Sequence, residues 1–194
     1  MTLADRWPLE DHLDLRDELL GAWDRAGYHD LLHLTEVLDR LDLLAGAGVG
    51  FDRTTVALAA WFHDAVYAGA ADDEEQSARW AERALPPAYA TEVARLVRMT
   101  QHHRPDDSDE AGAALSDADL AILAAPRRRY DAYVAGVRAD FAEVGDADFR
   151  AGRAAVLTDL AAKPHLFHTT QARALWESAA RANLERELAG LSGR

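Results

Sequence analysis

Residues 58–67 read Leu-Ala-Ala-Trp-Phe-His-Asp-Ala-Val-Tyr, an apolar stretch that runs directly into the adjacent imidazole and carboxylate of His63 and Asp64. Burying two such groups without partners would cost several kcal/mol. A divalent metal suits both side chains as a shared partner. The stretch therefore predicts a buried helix that leads into part of a metal site, with further ligands on helices that pack around it.

The composition of the chain favours one helical domain. Apolar residues make up 49% of the 194 residues, which is typical of a globular protein that can bury a core. Alanine and leucine outnumber the β-branched residues, which favours helix over strand. We therefore predict a single all-α domain over residues 1–194, built as a bundle of about eight or nine helices.

Apolar spacing, capping residues and prolines predict where these helices lie. The predicted ranges are, in chain order, 9–25, 30–45, 54–66, 72–85, 88–101, 117–124, 127–144, 146–164 and 171–188. Ser116 and Asp117 are predicted to cap the sixth helix. Because that role is then filled, Asp119 is free to point elsewhere.

The charge and the residue types exclude several kinds of partner. The net charge of −13 would repel a long nucleic acid, so a phosphorylated ligand would have to be small and would need a local positive site. No apolar run of about 18 residues predicts a membrane span. The chain begins without the pattern of a signal peptide, and it contains no cysteine for disulfides. These features favour a cytoplasmic protein.

Four segments in this order resemble one known family. They are Tyr28-His-Asp-Leu-Leu-His33, Trp61-Phe-His-Asp-Ala-Val-Tyr67, Asp72-Asp-Glu-Glu-Gln-Ser-Ala78 and Asp117-Ala-Asp-Leu120. They resemble motifs of the HD superfamily of metal-dependent phosphohydrolases, which is named for its His-Asp pair. Gly152-Arg153 and Ala182-Asn-Leu-Glu185 resemble features of a small, uncharacterised bacterial branch, which usually has Asn in place of Asp73. The resemblance covers about residues 28–188 and implies the helical HD-domain fold.

The resemblance also implies a metal site and an activity. Its ligands would be His33, His63, Asp64 and Asp119. Imidazole and carboxylate ligands suit Mn, Fe, Co, Ni or Zn better than Mg or Ca, and either one or two ions could bind. The implied activity is hydrolysis of a phosphoester bond in a small phosphorylated substrate, nucleotides included, by metal-activated water. Asp64 could both bind the metal and orient that water.

Two further candidates for catalysis, Glu74 and Glu75, follow the His-Asp segment at the start of the fourth predicted helix. Glu74 or Glu75 could act as a general base, or could only stabilise the start of the fourth helix through its dipole. Asp64 or a bound hydroxide alone could serve as the base instead. The nucleotidase branch of the family has Glu where this chain has Tyr67, so the mechanism of that branch is not carried over.

The remaining candidates are basic side chains. His102 is expected to reach a substrate phosphate or a second metal, and the alternative is an interaction of His102 and His103 with the end of the fifth helix. His29 could contact a substrate or lie on the surface. Arg153 and Lys163 are candidates for a phosphate pocket by resemblance alone.

Two other functions fit the same sequence. The chain could be a non-catalytic HD protein that binds a metal or ligand as a sensor or interaction module. It could also be a hydrolase or lyase that acts on a non-phosphate substrate, because a fold does not determine a reaction. The long last helix could cover the core or face a second copy of the chain in a homodimer.

Overall fold

A computed structural model describes residues 2–193, which form nine α-helices and two short 3-10 helices, at Ala4–Arg6 and Ala121–Ala124. No strand occurs in that range, so the predicted all-α, single-domain architecture is confirmed. The α-helices are α1 Leu13–Trp23, α2 Leu31–Gly46, α3 Arg53–Phe62, α4 Asp73–Ala84, α5 Pro87–Thr100, α6 Glu110–Leu120, α7 Arg127–Asp140, α8 Asp146–Ala162 and α9 Thr170–Ser192.

Helix α3 lies at the centre of the bundle and packs against α2, α4, α5 and α6. Its residues 58–62 are all completely buried, and their alanines leave room for neighbouring helices to approach closely. Asp52 caps the helix by accepting the N–H of Thr55 at 2.7 Å. The indole N–H of Trp23 donates to the carbonyl of Trp61 at 2.8 Å, which ties α1 to the end of α3. This packing holds the following residues, His63 and Asp64, inside the molecule.

The acidic segment that follows stabilises the loop between α3 and α4. One carboxylate oxygen of Asp73 accepts the backbone N–H groups of Ala68 and Ala70, at 2.8 and 3.0 Å. The hydroxyl of Ser77 accepts the N–H of Val66 at 3.0 Å. Asp73 and Ser77 are both buried, so their hydrogen bonds replace water for these backbone groups. These two side chains therefore support the loop between α3 and α4.

The sixth helix differs from its prediction. It begins at Glu110, seven residues earlier than expected, because Asp109 caps it by accepting the N–H of Gly112 at 2.9 Å. Ser116 and Asp117 are therefore not caps but completely buried residues within the helix. Both residue types favour helix starts, and this preference misled the prediction. The expected 117–124 helix is the end of α6 followed by a 3-10 turn.

The remaining elements, which are the 3-10 turn at 121–124 and helices α7, α8 and α9, form a wall beside the helices that pack around α3. Helix α9 packs against the 3-10 turn at 121–124 and against α8, while α7 also contacts that turn. A cavity remains between this wall and the end of α3. Within residues 2–193, no helix combines the length and the apolar character that crossing a membrane requires.

Candidate metal centre

Three side chains that could bind a metal meet where α2 and α3 come together. The Nε2 atoms of His33 and His63 lie 3.2 Å apart. A carboxylate oxygen of Asp64 lies 3.6 Å from the first of these nitrogens and 3.3 Å from the second. Ligand atoms bound to one ion at about 2.1 Å lie roughly 3.0–3.5 Å from one another, so this spacing fits a shared metal.

Asp119 adds a fourth donor from α6. Its Oδ1 lies 3.3 Å from Nε2 of His33 and 3.8 Å from Nε2 of His63. Helix α6 packs against both α2 and α3, which brings this carboxylate to the two imidazoles. The four residues implied by the resemblance thus lie close together: His33 is on α2, Asp119 is on α6, and His63 and Asp64 directly follow α3. Among them, His33, His63 and Asp64 form the group whose donor atoms all lie within 4.8 Å of one another.

The surroundings of the two imidazoles orient them as ligands. The Nδ1–H of His63 donates to the carbonyl of Ala60 at 2.7 Å, which leaves Nε2 free to face the cluster. The indole of Trp23 packs against both rings, and the ring of Tyr28 packs against His33 with 4.5 Å between centroids. Both histidines are 1% exposed, so their positions are fixed by packing.

The charges of the cluster favour a cation. Burial lowers the pKa of His33, but its hydrogen bonds with Asp119 and Asp64 outweigh that effect and raise the pKa to about 9. Burial raises the pKa of both carboxyls, but the histidines outweigh it, so that of Asp119 falls to about 2 and that of Asp64 falls well below its usual range. Two largely buried carboxylates that stay ionised favour a positive partner, and a divalent metal can supply one.

The structure distinguishes the two adjacent glutamates. Glu74 is half-buried and lines the cavity beside the cluster, and burial raises its pKa. Glu75 instead accepts hydrogen bonds from Arg79 and Arg98 on the outside of the molecule. Glu74 is therefore the one of the pair that can reach a molecule in the cavity.

The two adjacent histidines after α5 are also distinguished, in a way the sequence did not predict. His102 is exposed and does not line the cavity, whereas His103 does. Nε2 of His103 lies 3.5 Å from Asp119 Oδ2, and Nδ1 lies 3.1 Å from the hydroxyl of Ser116. His103 has a φ of 49°, a left-handed conformation that is uncommon outside glycine. This turn directs the second histidine of the pair inward, and no local pattern predicts it.

His29 lies on the cavity wall, held by a residue that the sequence analysis missed. Its Nδ1 lies 2.8 Å from Asp140 Oδ2, its Nε2 lies 4.0 Å from Asp64, and its ring stacks on Tyr67. The other oxygen of Asp140 accepts the N–H of Tyr28 at 3.1 Å. A Cβ at Gly27 would lie 1.5 Å from the Asp140 carboxylate, and Gly27 has a φ of 110°, so glycine is required there.

The basic candidates for a phosphate pocket are less available. Arg153 lines the cavity, but its guanidinium donates to Glu187 at 2.8 Å and to the hydroxyl of Tyr133 at 2.9 Å. Lys163 is not among the residues that line the cavity. Tyr28 also lines the cavity, and its buried hydroxyl has no hydrogen-bond partner among the described residues.

The cavity that these residues border has a volume of about 700 Å³. This is within the range of sites that bind small molecules. Asp64, Asp119 and His103 lie on its wall, so a bound molecule could reach the cluster directly. The arrangement can therefore hold a cation and a small substrate side by side.

Comparison of the chain with protein-family models, curated proteins and solved structures found no match.

Proposed function

We propose that the chain is an HD-type, metal-dependent phosphohydrolase that cleaves a phosphoester bond in a small substrate. The observation that carries the proposal is the cluster of His33, His63 and Asp64, with Asp119 3.3 Å from His33, which opens on one side into a cavity of about 700 Å³. Three of the four short segments that resemble HD-superfamily motifs supply these four side chains, so the resemblance and the geometry support the same site.

In this proposal His33, His63, Asp64 and Asp119 hold one divalent transition metal, such as Mn, Fe, Co, Ni or Zn. The ion would supply Lewis acidity, which polarises a phosphoryl oxygen and makes water a better nucleophile at neutral pH. Asp64, at the border of the cavity, is suited to orienting that water. The burial of the imidazoles excludes bulk solvent, which strengthens every electrostatic interaction in the site.

Three further side chains line the cavity where a reacting phosphate would lie. Glu74, whose pKa burial raises, is suited to exchanging a proton with the substrate or with water. His103 can donate or accept a hydrogen bond beside Asp119. His29, oriented by Asp140, offers its Nε2 next to Asp64. We assign the role proposed for His102 to His103, because His103 lines the cavity and His102 does not.

The test is phosphate release from a panel of phosphomonoesters and nucleotides. Metal-stripped protein would be reloaded singly with Mn, Co, Ni, Zn or Mg. We expect metal-dependent release that Asp64→Ala reduces by at least about 1,000-fold, while His165→Ala, at an exposed histidine, leaves it unchanged. If the folded, metal-loaded protein releases no phosphate with any ion, the proposal is wrong, and a sensor role or non-phosphate chemistry becomes the better explanation.

A second test concerns the position of His29. Asp140→Asn would present an amide N–H to His29 Nδ1, which favours the opposite tautomer and disturbs the orientation of the ring. We expect turnover to fall by about 10- to 100-fold with unchanged metal content. Asp146→Asn is the matched control. Asp146 is an exposed carboxylate at the start of α8, and it pairs with Arg138 close to the end of α7 that carries Asp140.

The double variant distinguishes positioning from a general structural effect. If Asp140 acts through His29, adding Asp140→Asn to His29→Ala should reduce turnover little further. If the fold-loss of turnover in the double variant equals the product of the losses in the two single variants, Asp140 does not act through His29.

A further inference from the structure

Polar and apolar side chains share the wall of the cavity beside the candidate metal centre. His29, Asp64, Glu74, His103 and Asp119 are among its polar residues, and Asp64 and Asp119 belong to the candidate centre itself. The rest of the wall is mostly hydrophobic. Its apolar residues lie on α6, the 3-10 turn at 121–124, α7, the segment after α7, and α8, and include Ile122, Val137, Phe149 and Val156. A phosphate group alone would leave this apolar part of the cavity in contact with water.

The charges of the wall disfavour a substrate with several phosphates. Among the described residues, Arg153 is the one lysine or arginine that lines the cavity, and it is paired with Glu187, which is itself 7% exposed. Four carboxylates, those of Asp64, Glu74, Asp119 and Asp148, line the same cavity. A divalent ion at the cluster is the one cation that would directly face a phosphate, and the carboxylates of Asp64 and Asp119 already offset its two charges. Each further phosphate would therefore lie among carboxylates without a free cation nearby.

We propose that the ligand of this cavity is the monophosphate ester of an apolar alcohol, with its phosphate at the metal centre and its aliphatic or aromatic part against the apolar wall. This inference rests on the proposed function, because it names the substrate class of the same site. It also departs from the nucleotide option of the sequence analysis: a nucleoside triphosphate would bring several charges to a wall that offers mainly hydrocarbon.

Helix α8 offers a way to test the inference. Asp148, Phe149, Gly152, Arg153, Val156 and Leu160 line the cavity at helical spacing, so this face of α8 forms part of the wall. Gly152 lies in the middle of that face, and a Cβ there would meet nothing within 4 Å. A Cβ at this position is therefore tolerated, and a large side chain attached to it can cover or fill part of the cavity that this face borders. Because glycine is a poor helix former, the substitution should also not weaken the helix.

The experiment measures binding of methyl-, butyl- and octylphosphonate to Mn-loaded protein by calorimetry. These compounds resist hydrolysis, so they report on the cavity separately from turnover. Each buried methylene should increase affinity by about two- to fourfold. We expect octylphosphonate to bind at least about 50-fold more tightly than methylphosphonate and more tightly than adenosine triphosphate. Gly152→Trp should remove most of this gain and still bind methylphosphonate.

Gly21→Trp is the matched control, because Gly21 is also an exposed helical glycine with open space at its Cβ but does not line the cavity. It should keep the dependence on chain length. Equal affinity for all three phosphonates, tighter binding of adenosine triphosphate, or the same loss in both tryptophan variants would overturn the inference. Hydrolysis of octyl phosphate, followed in parallel, tests the proposed function separately: chain-length-dependent binding without phosphate release would reject the phosphohydrolase and keep the ligand class.

Discussion

His63→Ala should abolish tight metal binding. The substitution removes one of four donors, and its Nε2 lies within 3.8 Å of the donor atoms of the other three. Substitution of residues that only hydrogen-bond to a metal ligand lowers metal affinity by about 10- to 100-fold. Loss of a ligand itself should therefore weaken metal binding by more than about 100-fold. Titration with Mn or Co, followed by metal analysis after desalting, measures the effect. His165→Ala, which removes an exposed histidine, should bind as the unchanged chain does.

The same variant tests whether the metal stabilises the fold. A ligand at 100 times its dissociation constant should stabilise the native state by about 2.7 kcal/mol, because it binds the folded chain and not the unfolded one. The gain is measured as the difference in unfolding free energy with and without metal, within each variant, so a direct effect of His63→Ala on stability cancels. Asp64→Asn should lose most of the gain with little change of shape. Undiminished stabilisation of both variants would show that the ion binds elsewhere.

Asp117→Ala should produce the largest loss of stability among single carboxylate substitutions. Asp117 is completely buried, and its two oxygens accept the backbone N–H groups of His168 and Thr169 at 2.6 and 2.8 Å. Thr169 in turn caps α9. Truncation would leave two N–H groups without partners, at about 1–3 kcal/mol each. We therefore expect a loss of about 3 kcal/mol in the free energy of unfolding, measured by urea denaturation.

Two comparison variants show whether these hydrogen bonds are responsible. Asp117→Asn keeps one carbonyl oxygen as an acceptor and should lose about half as much stability. Asp159→Ala removes an exposed carboxylate on α8 and should stay within about 0.5 kcal/mol of the unchanged chain. An Asp117→Ala protein as stable as Asp159→Ala would mean that the segment before α9 is held by other contacts.

The position of Asp117 also explains why the sixth helix was predicted incorrectly. Ser116 and Asp117 have the residue types of a helix start, but in the structure they are buried because other parts of the chain need their hydrogen bonds. Asp109, seven or eight residues earlier, is the actual cap. Capping propensity is a local property, and here two contacts over long sequence separations outweighed it.

The sequence by itself determined the helical architecture and the residue types of the candidate metal centre. Apolar spacing, caps and prolines act within a few residues, so they located eight of the nine α-helices to within a few residues at most ends. The four metal-binding candidates were identified from the order of short segments, each of which carries its ligands locally. That the structure brings them together follows from the packing of α2 and α6 against α3.

Only the tertiary structure decided which of the neighbouring candidates reach the cavity. Glu74 rather than Glu75, and His103 rather than His102, face it because of one helix orientation and one left-handed residue. Asp140 contacts His29 from 111 residues away, and the apolar wall draws on α6, α7 and α8 together with the 3-10 turn between α6 and α7. Such contacts depend on how whole helices pack, and the periodicity of a single segment contains no information about its partner across the cavity.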